Sequence, residues 1–286
     1  MHTTFDDLAK SYLPSGRLWK GFAPPTAFGP HGNVGISQSG NPCFGFFDNF
    51  HAFNETSLDG PYAHLVTAGG SAALAADTAT EKGLLALTTA GDTAEDEIVL
   101  KWGSTLSAPF KLADNDLVFE CRVALSAITT DVVSVALGLG DAGMIVTDKF
   151  FTDADILDGD GDFLGFAKLV AETGDFDGAY QDADGAYIDG GTKTKLNALA
   201  TFTASATTYK KLGFRYRAHP QKVEWYVDGV LAGDSATPAR LTDAECKAAS
   251  FPNDVLLAPY IAIKDKAGTT ALTVNLDWWG CAQMLG

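Results

Sequence analysis

Hydrophobic and polar residues alternate over two neighbouring stretches of the chain, 211–217 and 222–227. In the first, one leucine and two aromatic residues alternate with lysine and arginine, and the second repeats the pattern around Trp225. A period of two residues is typical of a β-strand with one buried and one solvated face. Residues 218–221 predict a turn between them, and the Asp-Gly pair at 228–229 predicts a tight hairpin before a third short strand.

Similar runs recur between turn signals along the rest of the chain. We predict further strands at 84–89, 98–102, 117–125, 132–139, 163–170, 255–263 and 271–279. A capping box at Thr242 and Glu245 predicts a short helix over about 243–249. In the last strand the alternation places Trp279 on the polar face, as an interface residue or under another part of the chain. Many short strands and few helical patterns indicate an all-β sandwich.

The first 44 residues follow a different pattern. Apolar residues at helical spacing predict a short helix over 5–13, which ends before Pro14 and is too short to be stable alone. Between 14 and 44, six glycines and five prolines among 31 residues are interleaved with aromatic residues. This composition argues against regular elements and against a solvated linker. We therefore predict an N-terminal arm, residues 1–44, that becomes ordered on a partner surface, followed by a β-sandwich domain at 45–286.

Charge and composition limit the classes of partner. The net charge of −16 argues against binding nucleic acid or an anionic membrane, because both need a positive protein surface. No apolar run reaches the length of ~18 residues typical of a membrane helix, and the acidic N-terminus is unlike a secretion signal, so we expect synthesis in a cytoplasm. The four cysteines are too far apart for a zinc motif, and Cys121 is expected to be a buried free thiol.

Three segments carry a resemblance to a known family. The hairpin at 210–233 resembles a strand-turn-strand of concanavalin A-like jelly-roll domains. Read together with 40–50 (GNPCFGFFDNF) and 117–123 (LVFECRV), it is similar to a family of tailed-phage virion proteins generally taken to be head decoration or auxiliary capsid proteins. The similarity covers roughly residues 40–279.

This resemblance implies a concanavalin A-like jelly-roll sandwich with an extended N-terminal arm. It further implies a non-enzymatic structural protein of the virion, made in the host cytoplasm, that binds the outer surface of the phage head and cements it. The expected partners are the major capsid protein and further copies of the chain, as a homotrimer, whose several weak arms would together gain avidity. The residues we expect to contact the capsid are the apolar residues of the arm, Phe5, Leu8, Tyr12, Trp19, Phe22 and Phe28.

A lectin-like carbohydrate-binding module is the main alternative. Asp158, Asp160 and Asp162 alternate with glycines, as in a flexible oxygen-rich loop for Ca²⁺, although the loop lacks the central glycine and the closing glutamate of an EF-hand. Solvated acidic loops would give the same pattern, and we expect no other cofactor. A lectin would bind its ligand at the acidic loops within 153–189, with stacking surfaces drawn from three tryptophans, Trp225, Trp278 and Trp279. A third reading is a tail or baseplate component, because residues 12–19 (YLPSGRLW) resemble a segment of some phage tail proteins.

Catalysis has little support in the sequence. Glycanases of this fold class place two carboxylates on one face of a strand, usually as Glu-x-Asp-x-Glu, and that motif is missing here. Glu120 and Glu224 each stand alone on the polar side of a predicted strand. The five histidines are scattered, and there is no G-x-S-x-G elbow or phosphate loop. We therefore expect a protein that is not an enzyme.

Overall fold

The computed structural model describes residues 14–28, 30–37, 40–50, 62–66, 71–74, 83–91, 96–103, 108–113, 115–128, 132–143, 150–151, 161–170, 174–183, 186–268 and 270–286. The predicted helix over 5–13 and the predicted contact residues Phe5, Leu8 and Tyr12 lie outside these ranges. Within them, none of the helices combines the length and the apolar character needed to span a membrane.

The described part of the chain is almost entirely β-structure. Its strands are, in chain order, β1 (Asn33–Ile36), β2 (Pro42–Asp48), β3 (Tyr62–Val66), β4 (Ser71–Leu74), β5 (Leu85–Thr88), β6 (Asp96–Trp102), β7 (Phe110–Lys111), β8 (Leu117–Leu125), β9 (Val133–Asp141), β10 (Phe163–Lys168), β11 (Asp175–Gln181), β12 (Ala200–Thr201), β13 (Ser205–Ala218), β14 (Gln221–Val227), β15 (Val230–Leu231), β16 (Arg240–Leu241), β17 (Leu256–Asp265) and β18 (Thr273–Met284). A short α-helix, α1 (Asp243–Cys246), precedes β17. The predicted hairpin and strands are confirmed. The capping box at Thr242 is also confirmed, although α1 ends earlier than predicted.

The strands form two antiparallel sheets. The first sheet has the order β1-β2-β18-β8-β13-β14-β15, with β16 beside β14, and with β5 and β4 extending from β18. The second sheet has the order β12-β11-β10-β9-β17-β6-β3, with β7 beside β17. We call them sheet 1 and sheet 2. Consecutive strands such as β9 to β12 stay within one sheet, and elsewhere, as from β16 to β17 and from β17 to β18, the chain crosses between the sheets, so they form the two layers of a sandwich.

The main hydrophobic core fills the space between the sheets. Sheet 1 contributes Phe119 and Phe214, whose rings stack at 5.4 Å, and sheet 2 contributes Ile98 and Leu137. The indole Nε1 of Trp225 crosses this layer and donates to a backbone carbonyl of β10 at 2.8 Å. The sandwich is therefore held by apolar contact and by at least one direct hydrogen bond between its layers. All four cysteines are buried free thiols, which confirms the prediction for Cys121.

A β-bulge changes which side chains of β18 face the core. The register of β18 against β8 shifts between Leu276 and Trp278. Beyond this shift Trp279 points inward, where it is fully buried and lies against the rings of Phe46 and Tyr62. The prediction that Trp279 lies on the polar face is therefore wrong, because strict alternation does not continue through a bulge.

Residues 14–28 cover the outer face of sheet 1. Leu18, Trp19, Phe22 and Phe28 are buried there in one cluster with Val118 and other outward-facing residues of the sheet. The three aromatic side chains predicted to contact the capsid are thus engaged within their own chain. The predicted arm boundary at residue 44 also falls inside β2, so the described part of the segment forms an integral layer of the sandwich rather than a separate arm.

The outer face of sheet 2 is covered as well. Its floor consists mainly of small residues, including Ala136, Ala167 and Ala262, and the rings of Phe150 and Phe151 pack in the same buried cluster. The Glu97 carboxylate on β6 accepts hydrogen bonds from the backbone amides of both phenylalanines, the second at 3.2 Å. Both sheets are therefore buried on both faces over much of their area.

Candidate functional site

Four aspartates meet at one end of sheet 2. Asp141 ends β9, Asp162 immediately precedes β10, Asp182 immediately follows β11, and Asp254 lies two residues before β17. Because the order β11-β10-β9-β17 is antiparallel throughout, these four strand ends lie along the same edge of the sheet. The topology therefore brings together acidic residues that are up to 113 positions apart, from Asp141 to Asp254 (254 − 141 = 113).

Three of the four carboxylates form a compact cluster. One oxygen atom each of Asp162, Asp182 and Asp254 lies within 4.8 Å of the others. Asp162 is only 2% exposed, whereas Asp182 is half-buried and Asp254 is exposed. The backbone amide of Ala183 donates to Asp162 Oδ1 at 3.3 Å. We call these three residues the aspartate cluster.

Burial raises the pKa of Asp162 to about 7, and the negative charges of Asp182, Asp141 and Asp254 act in the same direction, against the hydrogen bond from Ala183. At neutral pH this group is therefore easily protonated. A cation would replace the proton, because carboxylate oxygens are the ligands that hard cations such as Ca²⁺ prefer. Three carboxylates fall short of the six to eight oxygens that Ca²⁺ takes, so other oxygens or water would complete its shell.

Two further polar groups, Tyr260 and Lys101, lie near Asp141. The Tyr260 hydroxyl donates to the Asp141 carbonyl oxygen at 2.7 Å. Lys101 is fully buried with its Nζ atom 6.0 Å from the centre of the Tyr260 ring. Burial lowers the pKa of Lys101 to about 8, although the charge of Asp141 opposes the shift. A lysine and an aspartate near this corner are therefore both held at pKa values close to neutrality.

No protein-family model and no curated protein matches the chain. Solved structures with a similar fold include a protein of unknown function from Shewanella oneidensis MR-1, with a TM-score of 0.53 at 14% identity, covering 85% of this chain and 87% of that one. The endo-1,3-beta-glucanase from Streptomyces sioyaensis aligns with a TM-score of 0.52 at 14% identity over 84% and 96% of the two chains. The Emp47p carbohydrate recognition domain aligns with a TM-score of 0.51 at 12% identity, over 84% of this chain and 95% of that one. The fold is a concanavalin A-like jelly roll. At these identities the likeness extends to the fold alone.

Of the three predicted metal ligands, one is found at this site. Asp162 lies in the aspartate cluster, whereas Asp158 and Asp160 lie outside the described residues. Asp182 belongs to the predicted acidic loops, but Asp254 was not predicted. No local spacing connects Asp254 to Asp162, and only the pairing of β17 with β9 and of β9 with β10 places them together. Calcium binding stays a prediction.

The three tryptophans proposed as sugar-stacking surfaces are not available for stacking. Trp225 and Trp279 lie in the core between the sheets, and Trp278 is buried against Phe47 with ring centres 5.7 Å apart. A stacking platform needs an exposed ring face. This part of the lectin prediction is wrong because Trp225 and Trp279 point into the space between the sheets and Trp278 packs on Phe47.

Strand β11 carries a pair of carboxylates that the sequence analysis missed. Asp175 and Asp177 are two residues apart and so share one face of the strand. Asp177 is enclosed, because its Oδ1 atom accepts from the amide of Ala198 at 2.7 Å and Gly190 packs against its carboxylate. A hydrolytic pair must reach both sides of a glycosidic bond. The enclosure of Asp177 gives it a structural contact instead.

Glu120 and Glu224, the two isolated outward carboxylates, are likewise engaged within the chain. Glu120 is buried beneath residues 14–28. Glu224 binds Lys222 Nζ at 2.9 Å and Arg240 Nη2 at 2.6 Å. Burial alone would raise the pKa of Glu224, but the hydrogen bond and charge of Lys222, together with Arg240, lower it. Both groups thus stabilise the fold.

Proposed function

We propose that this chain is a non-enzymatic structural protein that acts by binding other proteins, as a decoration protein on the outer surface of a tailed-phage head. The observation that carries the proposal is that segments of the chain itself cover the outer faces of both sheets. A protein that binds or cleaves a polymer needs an open groove lined with available polar and aromatic groups. In the part of the chain that the structure describes, Trp225, Trp278 and Trp279 are buried, and the strand carboxylates Glu120, Asp177 and Glu224 are enclosed or paired.

The covered faces leave edges and loops as the surfaces for a partner. The exposed large hydrophobic side chains of the described residues include Val34 and Ile36 on the edge strand β1, with Leu256 and Leu285 elsewhere. Exposed apolar residues at an edge suit contact with another protein better than contact with a sugar. The phage assignment itself rests on the resemblance carried by residues 40–50, 117–123 and 210–233.

Burial of Trp19, Phe22 and Phe28 narrows the proposed capsid-binding segment to residues 1–13. Removal of residues 1–40 would expose the outer face of sheet 1 and delete β1, so it would test folding rather than binding. Removal of residues 1–13 leaves the described layer intact. The truncated protein is expected to stay folded and to lose binding to the capsid if Phe5, Leu8 and Tyr12 carry it.

The test is cryo-electron microscopy of phage particles made with the gene for this chain intact, deleted, or truncated by residues 1–13. We expect density for the sandwich on the head surface with the intact gene and its loss in the deletion. If the density is missing from heads and present on the tail, the protein is a tail component. Heads that are identical in all three samples, with the protein free in the lysate, would refute a role in the virion.

Carbohydrate binding that depends on a cation is a second candidate function, because the aspartate cluster has the ligand type that Ca²⁺ prefers. The test is isothermal titration with Ca²⁺ alone, followed by glycan-array binding with and without EDTA. The variant D182N/D254N should lose both signals. D234N is a matched control, since Asp234 is an exposed carboxylate elsewhere whose turn contacts an asparagine can keep. Heat signals that are equally small for the wild-type protein and the double variant would reject a cation site.

A further inference from the structure

Strand β1 is the open edge of sheet 1. It pairs with β2 on one side, and among the described strands nothing pairs with its other side. The side chains of Val34 and Ile36, on the same face of β1, are 54% and 63% exposed. Exposed β-branched residues on an unpaired edge are the kind of surface that natural proteins usually protect, because such an edge readily pairs with another strand.

The direction of the backbone groups on β1 follows from the pairing of β2. The amide of Leu285 donates to the carbonyl oxygen of Pro42 at 2.9 Å, so the backbone of Pro42 faces β18. Backbone groups alternate along a strand, so the polar groups of Cys43 face β1 instead. Gly35 lies opposite Cys43 and is hydrogen-bonded to it in this register.

The polar backbone groups of Val34 and Ile36, on either side of Gly35, therefore point away from β2 towards the open edge. A side-chain contact supports this direction, since the Val34 amide donates to Asn33 Oδ1 at 2.8 Å rather than to β2. The open edge thus offers two residues with outward N–H and C=O groups, placed symmetrically about one glycine. The Val34 amide would exchange its exposed bond to Asn33 Oδ1 for a bond to a partner strand.

We infer that β1 pairs with β1 of a second copy of this chain, antiparallel and across a two-fold axis at Gly35. In this register Val34 of each copy lies opposite Ile36 of the other, and each such pair exchanges two backbone hydrogen bonds. The two β-branched side chains then meet across the strands on one face, which is a favourable cross-strand pair. A glycine at the axis lets the two backbones approach closely.

Charge favours a second copy as the occupant. Residues 21–47 contain no Asp, Glu, Lys or Arg, in a chain whose net charge is −16. The strand also lacks the lysine or proline that commonly blocks pairing at an edge. Two copies can therefore join here without placing like charges opposite each other, although their remaining surfaces repel. The contact should consequently tighten as salt screens that repulsion.

The apolar surface extends beyond the strand. Ile36 lies opposite the exposed Pro42. Leu285, whose backbone amide donates a hydrogen bond to the Pro42 carbonyl oxygen, is also exposed. These side chains would flank the paired strands and add apolar area to the contact. A two-fold contact of this kind yields dimers, or larger assemblies built from dimers, and differs from the trimer that the resemblance implies. The inference does not depend on the proposed virion function.

The test is sedimentation velocity of the full chain across micromolar concentrations, comparing the wild-type protein with V34K/I36K. The wild-type protein should form dimers that increase with concentration and salt, and the variant should remain monomeric. V230K is the matched control, because Val230 is a 61% exposed β-branched residue on the other edge strand, β15. This control should dimerise like the wild-type protein.

A disulfide fixes the register independently. V34C/I36C should form a cross-linked dimer under mild oxidation, because residues in a hydrogen-bonded antiparallel pair lie ~5.5 Å apart, within disulfide range. The single variants V34C and I36C should cross-link far less, and the native cysteines are buried. A monomeric wild-type protein at every concentration, or an oligomer that V34K/I36K leaves intact, would overturn the inference. Equal cross-linking of the single and double variants would reject the register.

Discussion

Glu120 should anchor residues 14–28 to the outer face of sheet 1, and its removal should release them. Its carboxylate accepts hydrogen bonds from the backbone amide of Ser15 at 2.9 Å, from the Ser15 hydroxyl, and from Trp19 Nε1 at 2.9 Å. Leaving a buried donor unpaired costs about 1–3 kcal/mol, and losing the buried partner of several donors costs about 3–5 kcal/mol. We expect E120A to lose about 3–5 kcal/mol and E120Q, which keeps one acceptor oxygen, to lose less.

Two measurements separate local release from general destabilisation. Urea unfolding gives the total loss of unfolding free energy. Native-state hydrogen exchange should show the first loss of protection at the amides of Leu18, Trp19 and Phe22, which are hydrogen-bonded within residues 14–28. Amides of the central strand β8 should stay protected in E120A. In a double-mutant cycle, S15A should cost much less in the E120A background than in the wild-type protein.

The pH dependence of Glu120 has a defined sign. Burial raises its pKa, although the bonds from Ser15 and Trp19 and the charge of Lys211 oppose the shift. The folded state therefore binds the proton more tightly than the unfolded state. The resulting stability is fully present below the ordinary glutamate pKa and is lost as the pH rises through the raised value.

A loss of unfolding free energy in E120A below about 1 kcal/mol, or a uniform loss of exchange protection, would refute the anchoring role.

Three further outcomes are expected. In metal-free buffer D162N should gain stability relative to the wild-type protein between about pH 4 and pH 7. Asp162 ionises near pH 4 in the unfolded chain but holds its proton until about pH 7 in the folded protein, so the wild-type protein loses stability over that range; urea titrations at several pH values measure this. G165A should destabilise by about 3 kcal/mol or more, since its Cβ would overlap the Leu137 carbonyl oxygen, whereas G16A, with open space around it, should change stability by less than about 0.5 kcal/mol in thermal unfolding. W225F should cost about 1–3 kcal/mol in urea, because it removes the bond to β10 between the sheets.

The alternating stretches predicted the fold well because polar residues alternate with buried apolar residues in strands of sheet 1. In β13 the inward Phe214 and Tyr216 are each followed by an arginine, and in β14 the inward Val223 is followed by Glu224, so the two-residue period is visible. Strand β11 was missed for the opposite reason. Its sequence, DFDGAYQ, mixes acidic, small and aromatic residues, and it lacks β-branched residues. Its pairing with β10, and with β12 at its start, makes it a strand.

The site was less predictable than the fold. Asp162 could be found from its alternation with glycines, but Asp254 stands in a loop with no motif and reaches the cluster through the order of four strands. The error for Trp279 had a single local cause, one extra residue in β18. Such long-range register and single-residue bulges leave little trace in a single sequence, because they depend on which strands become neighbours.

The packing of residues 14–28 on sheet 1 accounts for the composition that predicts an arm over residues 1–44. Their glycines and prolines do exclude long strands, and their aromatic residues do need a surface to pack on. That surface is the chain's own sheet 1, whose outward positions include small or apolar residues such as Gly213, Ala282 and Val118. A Cβ at Gly213 would meet the Leu18 side chain at 2.6 Å, so the sheet is shaped to receive the segment. Sequence could show that these aromatic residues require a partner surface, but the identity of that surface depended on the small residues opposite them.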